Sequence, residues 1–390
     1  MKINKKLFWI FVLSSSVYFT QGIEGLPGLA LTFYLKEKLH LNPSTIMYLG
    51  SIIGLAWLIK PLWGYLCDNY LTKKKWIVFS LLGSLITCLY LGLNPFLALP
   101  IIILLASIGS WTTAIRDVAV DGIMCVEGKE ANECGRIQSI QWTSITIAGI
   151  IAGLIGGYVA DHFNYQFGYL CLIPFYLIIM GVVLRYRTTV PKNRIKSISI
   201  IDSILSYKEL FTNKKFLIGC LFLFLYNFNP SFGTPLFFIE RDSFHWSGTF
   251  MGILGAITSG ISIIGSILYW KFGKKINIKK CLFWSVFIGA GTTLCYLYFT
   301  PISAVIYGLI FSLAGMFIFL NVMAWMAEST ITGKEATSFA LLCSINNLAG
   351  TCSGLTGAFL FPKIGLQPLI IVSALTSFAC LPILKRLEIK

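Results

Sequence analysis

Arg116, Asp117 and Asp121 stand within six residues, at the end of an apolar run from Leu97 to Thr113. A charge at the bilayer centre costs about 2.5–3.5 kcal/mol on insertion scales. Three together persist only if they pair, face a wet cavity or take part in function. Asp117 and Asp121 are four apart, so they share one helix face. Arg116 points about 100° away from Asp117 on a helix, which directs it to a carboxylate on another helix. Lys60 is the only lysine in the interior of an apolar run, away from its ends. It needs a carboxylate or an anionic ligand, and Asp117 or Asp121 is the expected partner. Glu24 is the one acid deep in the first apolar run. It is read either as a group that takes up and releases protons or as one that grips a ligand through paired hydrogen bonds. Deep carboxylates that exchange a cation for a proton are a coupling device. Gln21, Gln138, Gln141, Asn227 and Asn229 add neutral hydrogen-bonding groups to the candidate set.

The elements that position these residues follow from hydropathy. The chain has 390 residues, 56% hydrophobic, with mean hydropathy +0.78. A soluble domain has about 45–50% apolar residues, so this is a polytopic, all-α membrane protein. Twelve runs are long enough to span, at about 20 residues each: 7–35, 45–66, 76–93, 97–121, 137–160, 168–187, 215–239, 248–270, 280–299, 302–327, 337–360 and 366–384. The pattern is a six-helix half at 1–187, a polar and basic central loop at 188–214, and a second six-helix half at 215–390.

The net charge of +15 does not indicate nucleic acid, because the Lys and Arg lie in short loops between apolar runs. With the N-terminus inside, 25 of the 31 fall in cytoplasmic segments and 4 in outer loops. That bias puts both termini in the cytoplasm. The first run is too long for a cleaved signal peptide, and no small-residue cleavage site ends it. The 11 cysteines have neither metal spacing nor a disulfide framework, and the three histidines are unclustered. A membrane enzyme would need a nucleophile, base or metal set near the interface, and none is visible. No cofactor is expected, and the protein is expected to be a monomer.

The first and seventh runs carry matching polar, proline-bearing interruptions: Gln21-Gly-Ile-Glu24-Gly-Leu-Pro27 and Asn227-Phe-Asn229-Pro230-Ser-Phe-Gly233. Paired interruptions in corresponding places of two halves point to a transporter binding site. Gly149, Gly153 and Gly157, and Gly350 and Gly354, are spaced by four, which suits close helix packing. Trp111, Trp142, Tyr226, Phe228 and Phe232 are aromatic candidates for stacking on a flat ring.

Between the second and third runs stands Gly64-Tyr-Leu-Cys-Asp68, followed by Lys73, Lys74 and Lys75. In this reading Gly64 permits close approach, Asp68 caps or bridges, and the lysines hold the cytoplasmic side. With twelve spans and a central loop, this motif resembles the gating signature of the major facilitator superfamily. Four stretches resemble the folate–biopterin transporter family within it: Tyr18-Phe-Thr-Gln-Gly-Ile-Glu-Gly-Leu-Pro27; Trp57-Leu-Ile-Lys60-Pro61 through Asp68; Ala114-Ile-Arg-Asp117-Val-Ala-Val-Asp121; and Gly135-Arg-Ile-Gln138-Ser-Ile-Gln-Trp142. They cover most of residues 18–157, and the second half resembles the family by layout. The resemblance implies a proton-linked symporter for pterins and folates, or for S-adenosylmethionine as in some members, in an inner or organelle membrane. Muropeptide permeases have related elements, which Asp117-Val-Ala-Val-Asp121 also fits.

Overall fold

The computed structural model describes residues 5–124, 134–186, 212–272, 276–329 and 335–387. Among them there is no strand. The helices are α1 (Lys5–Ile23), α2 (Gly28–Phe33), α3 (Pro43–Gly54), α4 (Lys60–Asn69), α5 (Lys73–Leu93), α6 (Leu99–Ile123), α7 (Cys134–His162), α8 (Tyr165–Arg185), α9 (Lys214–Asn227), α10 (Gly233–Asp242), α11 (Gly248–Phe272), α12 (Ile278–Cys295), α13 (Pro301–Glu328), α14 (Glu335–Ile364), α15 (Leu366–Thr376) and α16 (Leu381–Arg386). Nine helical segments among the described residues are long and apolar enough to cross a membrane. The other three expected runs are helical too: α1 with α2, α9 with α10, and α14. In hydrocarbon every backbone polar group must be satisfied within the protein, which is why the apolar runs fold as helices. Asn42, Thr72, Asn164, Asn213 and Asn277 supply side-chain caps at helix starts, each filling an otherwise orphaned N–H.

Two details differ from the sequence reading. The second run is not one helix. It breaks between α3 and α4, through a short 3₁₀ turn at Leu55–Trp57. Pro61 has no N–H, so it cannot bond the carbonyl of Trp57 four residues earlier. Asn347 of α14 donates to that carbonyl instead, at 3.1 Å. The fifth run also begins earlier than residue 137, at Cys134.

By packing, the described chain forms two units. One comprises residues 1–39, 59–200 and 247–256; the other comprises 40–58, 201–246 and 257–390. The covalent boundary at 58/59 falls at the α3–α4 break. The central stretch 188–214 lies outside the described residues as far as residue 211.

Glycines set the closest helix contacts. In the first unit, a Cβ on Gly252 would lie 2.2 Å from the Gly153 carbonyl oxygen, and one on Gly157 2.5 Å from that of Gly248. The start of α11 therefore runs backbone to backbone along α7, and Asp161 accepts from the N–H groups of Gly248 and Thr249 at 2.6 Å each. In the second unit, a Cβ on Gly354 would lie 2.7 Å from the Ser51 hydroxyl of α3, a backbone-to-side-chain contact. Gly149 and Gly350 have open space where a Cβ would stand, so the expected spacing marks contact at only some of its members.

Within the lysine cluster, Lys74 acts as a helix cap. Lys74 Nζ donates to the carbonyls of Leu184 and Tyr186 at 2.8 and 2.6 Å, closing the end of α8. Lys279, at the start of α12, does the same for Lys385 and Leu387 beyond α16. Cations at helix C-termini also meet the helix dipole favourably. Lys73 lays its aliphatic stem over Gly122, where a Cβ would lie 2.3 Å from Cε. Lys75 is exposed, and its backbone N–H is bound by the Thr72 hydroxyl. Gly64 makes no close approach: a Cβ there would sit 3.9 Å from Val118, an ordinary contact. The side chain of Asp68 lies outside the described residues.

Candidate functional site: a charged ladder between α1 and α6

The charged residues come together in the first unit, along the seam of α1 and α6. On α1 and the turn after it, Tyr18, Gln21 and Glu24 are three apart. On α6, Thr113, Asp117 and Asp121 are four apart. Both spacings keep residues on one helix face, and the helices run antiparallel, so the rungs match. Glu24 meets Thr113 and Arg116, Gln21 meets Asp117, and Tyr18 meets Asp121.

At the first rung Arg116, fully buried, donates through Nη2 to Glu24 Oε1 and through Nη1 to Ser84 Oγ at 3.2 Å. Glu24 Oε1 also accepts from the Tyr176 hydroxyl at 2.6 Å, and Oε2 from the Thr113 hydroxyl at 2.7 Å. The Tyr176 ring lies 5.9 Å from the guanidinium carbon, within cation–π range. At the second rung Lys60 Nζ, from the first residue of α4, pairs with Asp117 Oδ2 at 2.6 Å. Gln21 donates to Asp117 Oδ1 at 2.8 Å. Of the two acids open as partners of Lys60, the structure therefore selects Asp117. At the third rung Asp121 Oδ1 accepts from the Tyr18 hydroxyl at 3.0 Å and from the Gln141 amide at 3.3 Å. The side chain of Gln138 lies outside the described residues.

Glu24 is carried by a tight turn. After α1 the chain continues through i→i+3 bonds, Leu26 N–H to Ile23 and Gly28 N–H to Gly25. Glycines on neighbouring helices press against it. A Cβ on Gly156 would lie 2.4 Å from the Leu26 oxygen, and one on Gly168 2.9 Å from Pro27 Cα.

Asn227 and Asn229 are in the second unit. Asn227 donates to the carbonyl of Leu223 in its own helix at 2.9 Å. The Asn229 amide faces Ser377 Oγ at 2.7 Å, and its nitrogen, oriented to suit its neighbours, reaches the carbonyls of Phe228 and Ser373 at 3.2 and 3.1 Å. Ser353 of α14 supports this break, its hydroxyl accepting from the Asn229 N–H at 3.0 Å and its carbonyl from the Ser231 N–H at 2.9 Å.

The aromatic candidates divide between the units. Trp111 and Trp142 are exposed at their surfaces and lie against Trp63 and Tyr18. Tyr226 bonds Ser285 Oγ at 2.6 Å, Phe232 packs edge-on against Tyr296, and Phe228 stacks on Phe224.

Sequence reasoning missed Tyr176, Thr113 and Ser84 as partners of the ladder. Thr113 had a signal, one turn before Arg116 on the same helix. Tyr176 and Ser84 had none, since only packing brings α8 and α5 to Arg116. Tyr18 stood in a quoted stretch, three residues before Gln21, and that spacing is its signal.

Known proteins similar to this chain give its family and its fold. The chain is 26% identical to a protein named folate-biopterin transporter from Synechocystis, across 96% of this chain and 81% of that one. It is also 26% identical to folate transporter 1 of Plasmodium falciparum, across 92% of this chain and 74% of that one. Its fold matches the nucleoside transporter NupG, in a point-mutant form, with a TM-score of 0.77 at 15% identity, covering 97% of this chain and 100% of that one. It matches a D-xylose–proton symporter with a TM-score of 0.74 at 13% identity, covering 97% of each. These neighbours give the fold, that of the major facilitator superfamily. The relatives make this integral membrane protein a transporter of small molecules and not an enzyme. The family model for BT1 matches residues 21–384, reaching well beyond the stretch 18–157 that carries the resemblance in sequence, and the chain belongs to the BT1 family.

Proposed function

We propose that the protein is a proton-coupled secondary transporter for folates or pterins, working by alternating access. The observation that carries the reading is the match along nearly the whole chain to a relative named for folate and biopterin transport. The chemistry of the ladder supports it. A folate has an anionic tail and an aminopyrimidine ring. Lys60 keeps 17% of its side chain exposed, so it is a cation that an anionic group can reach. Carboxylates suit the paired N–H donors of the ring. Gln21, Lys60, Asp117 and the Glu24–Arg116 pair are the residues we assign to substrate in the first half, and Asn227 and Asn229 those we assign in the second.

In this reading the six-helix halves are 1–187 and 215–390, joined by the cytoplasmic loop 188–214. Both termini are cytoplasmic, the protein acts as a monomer, and it resides in an inner or organelle membrane. The experiment is uptake of labelled folate, biopterin, S-adenosylmethionine and muropeptide into vesicles, with and without an inward proton gradient. Accumulation of folate or biopterin that collapses with the gradient supports the reading. Gradient-driven uptake of S-adenosylmethionine or muropeptide alone replaces the substrate.

A further inference from the structure

The ladder does not balance its charge. Among the described residues it holds two cations, Lys60 and Arg116, and three carboxylates, Glu24, Asp117 and Asp121. Fully ionised, it carries one excess negative charge. The excess has a definite location. Glu24 is held by Arg116, Tyr176 and Thr113, and Asp117 by Lys60 and Gln21. Asp121 receives only neutral donors, the Tyr18 hydroxyl from α1 and the Gln141 amide from α7, both on Oδ1. The charged groups facing it are Asp117, one turn away on α6, and Lys60 on α4, which is already paired with Asp117.

Protonating Glu24 would leave a fully buried guanidinium without its counter-charge, and protonating Asp117 would do the same to Lys60. Stranding a buried charge is strongly unfavourable. Protonating Asp121 strands nothing and relieves repulsion with Asp117. Asp121 is also half-buried, so a proton can reach it.

We infer that Asp121 is the residue that carries the coupled proton, while Glu24 and Asp117 remain ionised as fixed partners of Arg116 and Lys60. The step is simple. One proton from solution bonds to Asp121 Oδ2, the carboxylate becomes a neutral carboxyl, and the ladder passes from one net negative charge to none. The Tyr18 and Gln141 bonds to Oδ1 persist in both forms. On the other side of the membrane the O–H bond breaks and the proton leaves to water. The charge of the ladder thus changes by one per proton, which gives one proton per cycle. This assignment rests on the proposed proton-coupled function, but it is testable without a substrate.

The test is infrared difference spectroscopy of the purified, detergent-solubilised protein across a pH titration. In a Glu240→Gln background, which removes a second partly buried carboxyl, the protein with Asp121 intact should show the band of one protonated carboxyl that disappears as pH rises. Asp121→Asn should lack the band, Asp121→Glu should restore it, and Glu24→Gln and Asp117→Asn should keep it. Persistence of the band in Asp121→Asn, its loss in Glu24→Gln, or its absence with Asp121 intact would overturn the assignment. A parallel arm uses labelled folate in proteoliposomes. Asp121→Asn should still exchange folate across the membrane, but accumulation should fall to equality inside and outside, with no pH dependence. Failure of wild type to move folate would refute the substrate reading and leave the infrared result to decide Asp121.

Discussion

After α1 the chain is a tight turn, and the acid it carries belongs to a ladder of five ionisable side chains. After α9 the chain is unwound, and hydroxyls and amides hold it. Both breaks contain proline, both lie against a helix with small residues, and both leave backbone groups to satisfy. In the first unit, continuing i→i+3 bonds satisfy much of the backbone, so the side chains are free to pair charges across α6. In the second, Ser353 and Ser377 are occupied by the break itself. The same position in two repeats can therefore serve as an electrostatic device in one and a neutral support in the other. What divides them is whether the backbone or the side chains satisfy the break.

The sharpest test removes a charge on one side and an amide on the other. Arg116→Ala strands Glu24, and breaking a buried pair costs about 3–5 kcal/mol, read as a loss of stability to denaturant in detergent. Adding Glu24→Gln should return part of that loss. Asn229→Ala should cost about 1 kcal/mol, typical of a neutral hydrogen bond. Equal losses would dissolve the contrast between the units.

Next is the partner of Lys60. Lys60→Ala should lose about 3 kcal/mol, toward the lower end for a broken buried pair, because the side chain keeps some contact with water. The double variant with Asp117→Asn should be more stable than the single one, and the double with Asp121→Asn should recover less, through relief of the Asp117–Asp121 repulsion alone.

Smaller effects are expected where glycines press on the breaks. Gly156→Ala sets a Cβ 2.4 Å from the Leu26 oxygen, and Gly357→Ala sets one 2.0 Å from that of Ser231. Each should cost about 1–3 kcal/mol as overpacking. Thermal melting of both variants would show whether the neutral break is as tightly held as the charged one. The mildest test leaves energetics alone. In a cysteine-free background, Lys75→Cys should react with an impermeant thiol reagent only from the cytoplasmic face. Phe96→Cys, at a position 97% exposed, should react only from the opposite face. The reverse pattern would invert the topology.

Much of this was legible in the sequence. Hydropathy located the runs, and the charged residues within them tied α4 to α6, while the carboxylate that meets Arg116 was left open until the structure showed it to be Glu24. Position i to i+4 placed Asp117 and Asp121 on one face. The choice between them for Lys60 was not legible, because it depends on where α4 begins after the Pro61 break. Pro61 carried a local signal for that break, a missing N–H four residues after Trp57, which the reading of 45–66 as one run passed over. That Asn347 supplies the replacement donor was not readable, because 290 residues separate it from Trp57. The same holds for Tyr176, which is 152 residues from Glu24. Local rules reach one or two turns, and the ladder is completed by contacts across the whole first half.

The Glu24–Arg116 pair also has a consequence for synthesis. Its members are 92 residues apart. At roughly 5–20 residues per second, α1 leaves the ribosome several seconds before Arg116 exists. During that interval the first helix carries an uncompensated acid, and α1 cannot settle in its final place. Its correct seating must wait for α6, so assembly of the first bundle is gated by translation of its fourth membrane crossing. A synonymous-codon change that slows translation between residues 24 and 116 should lengthen that exposed interval. The result should be more degradation of the nascent chain, with no change in the mature protein.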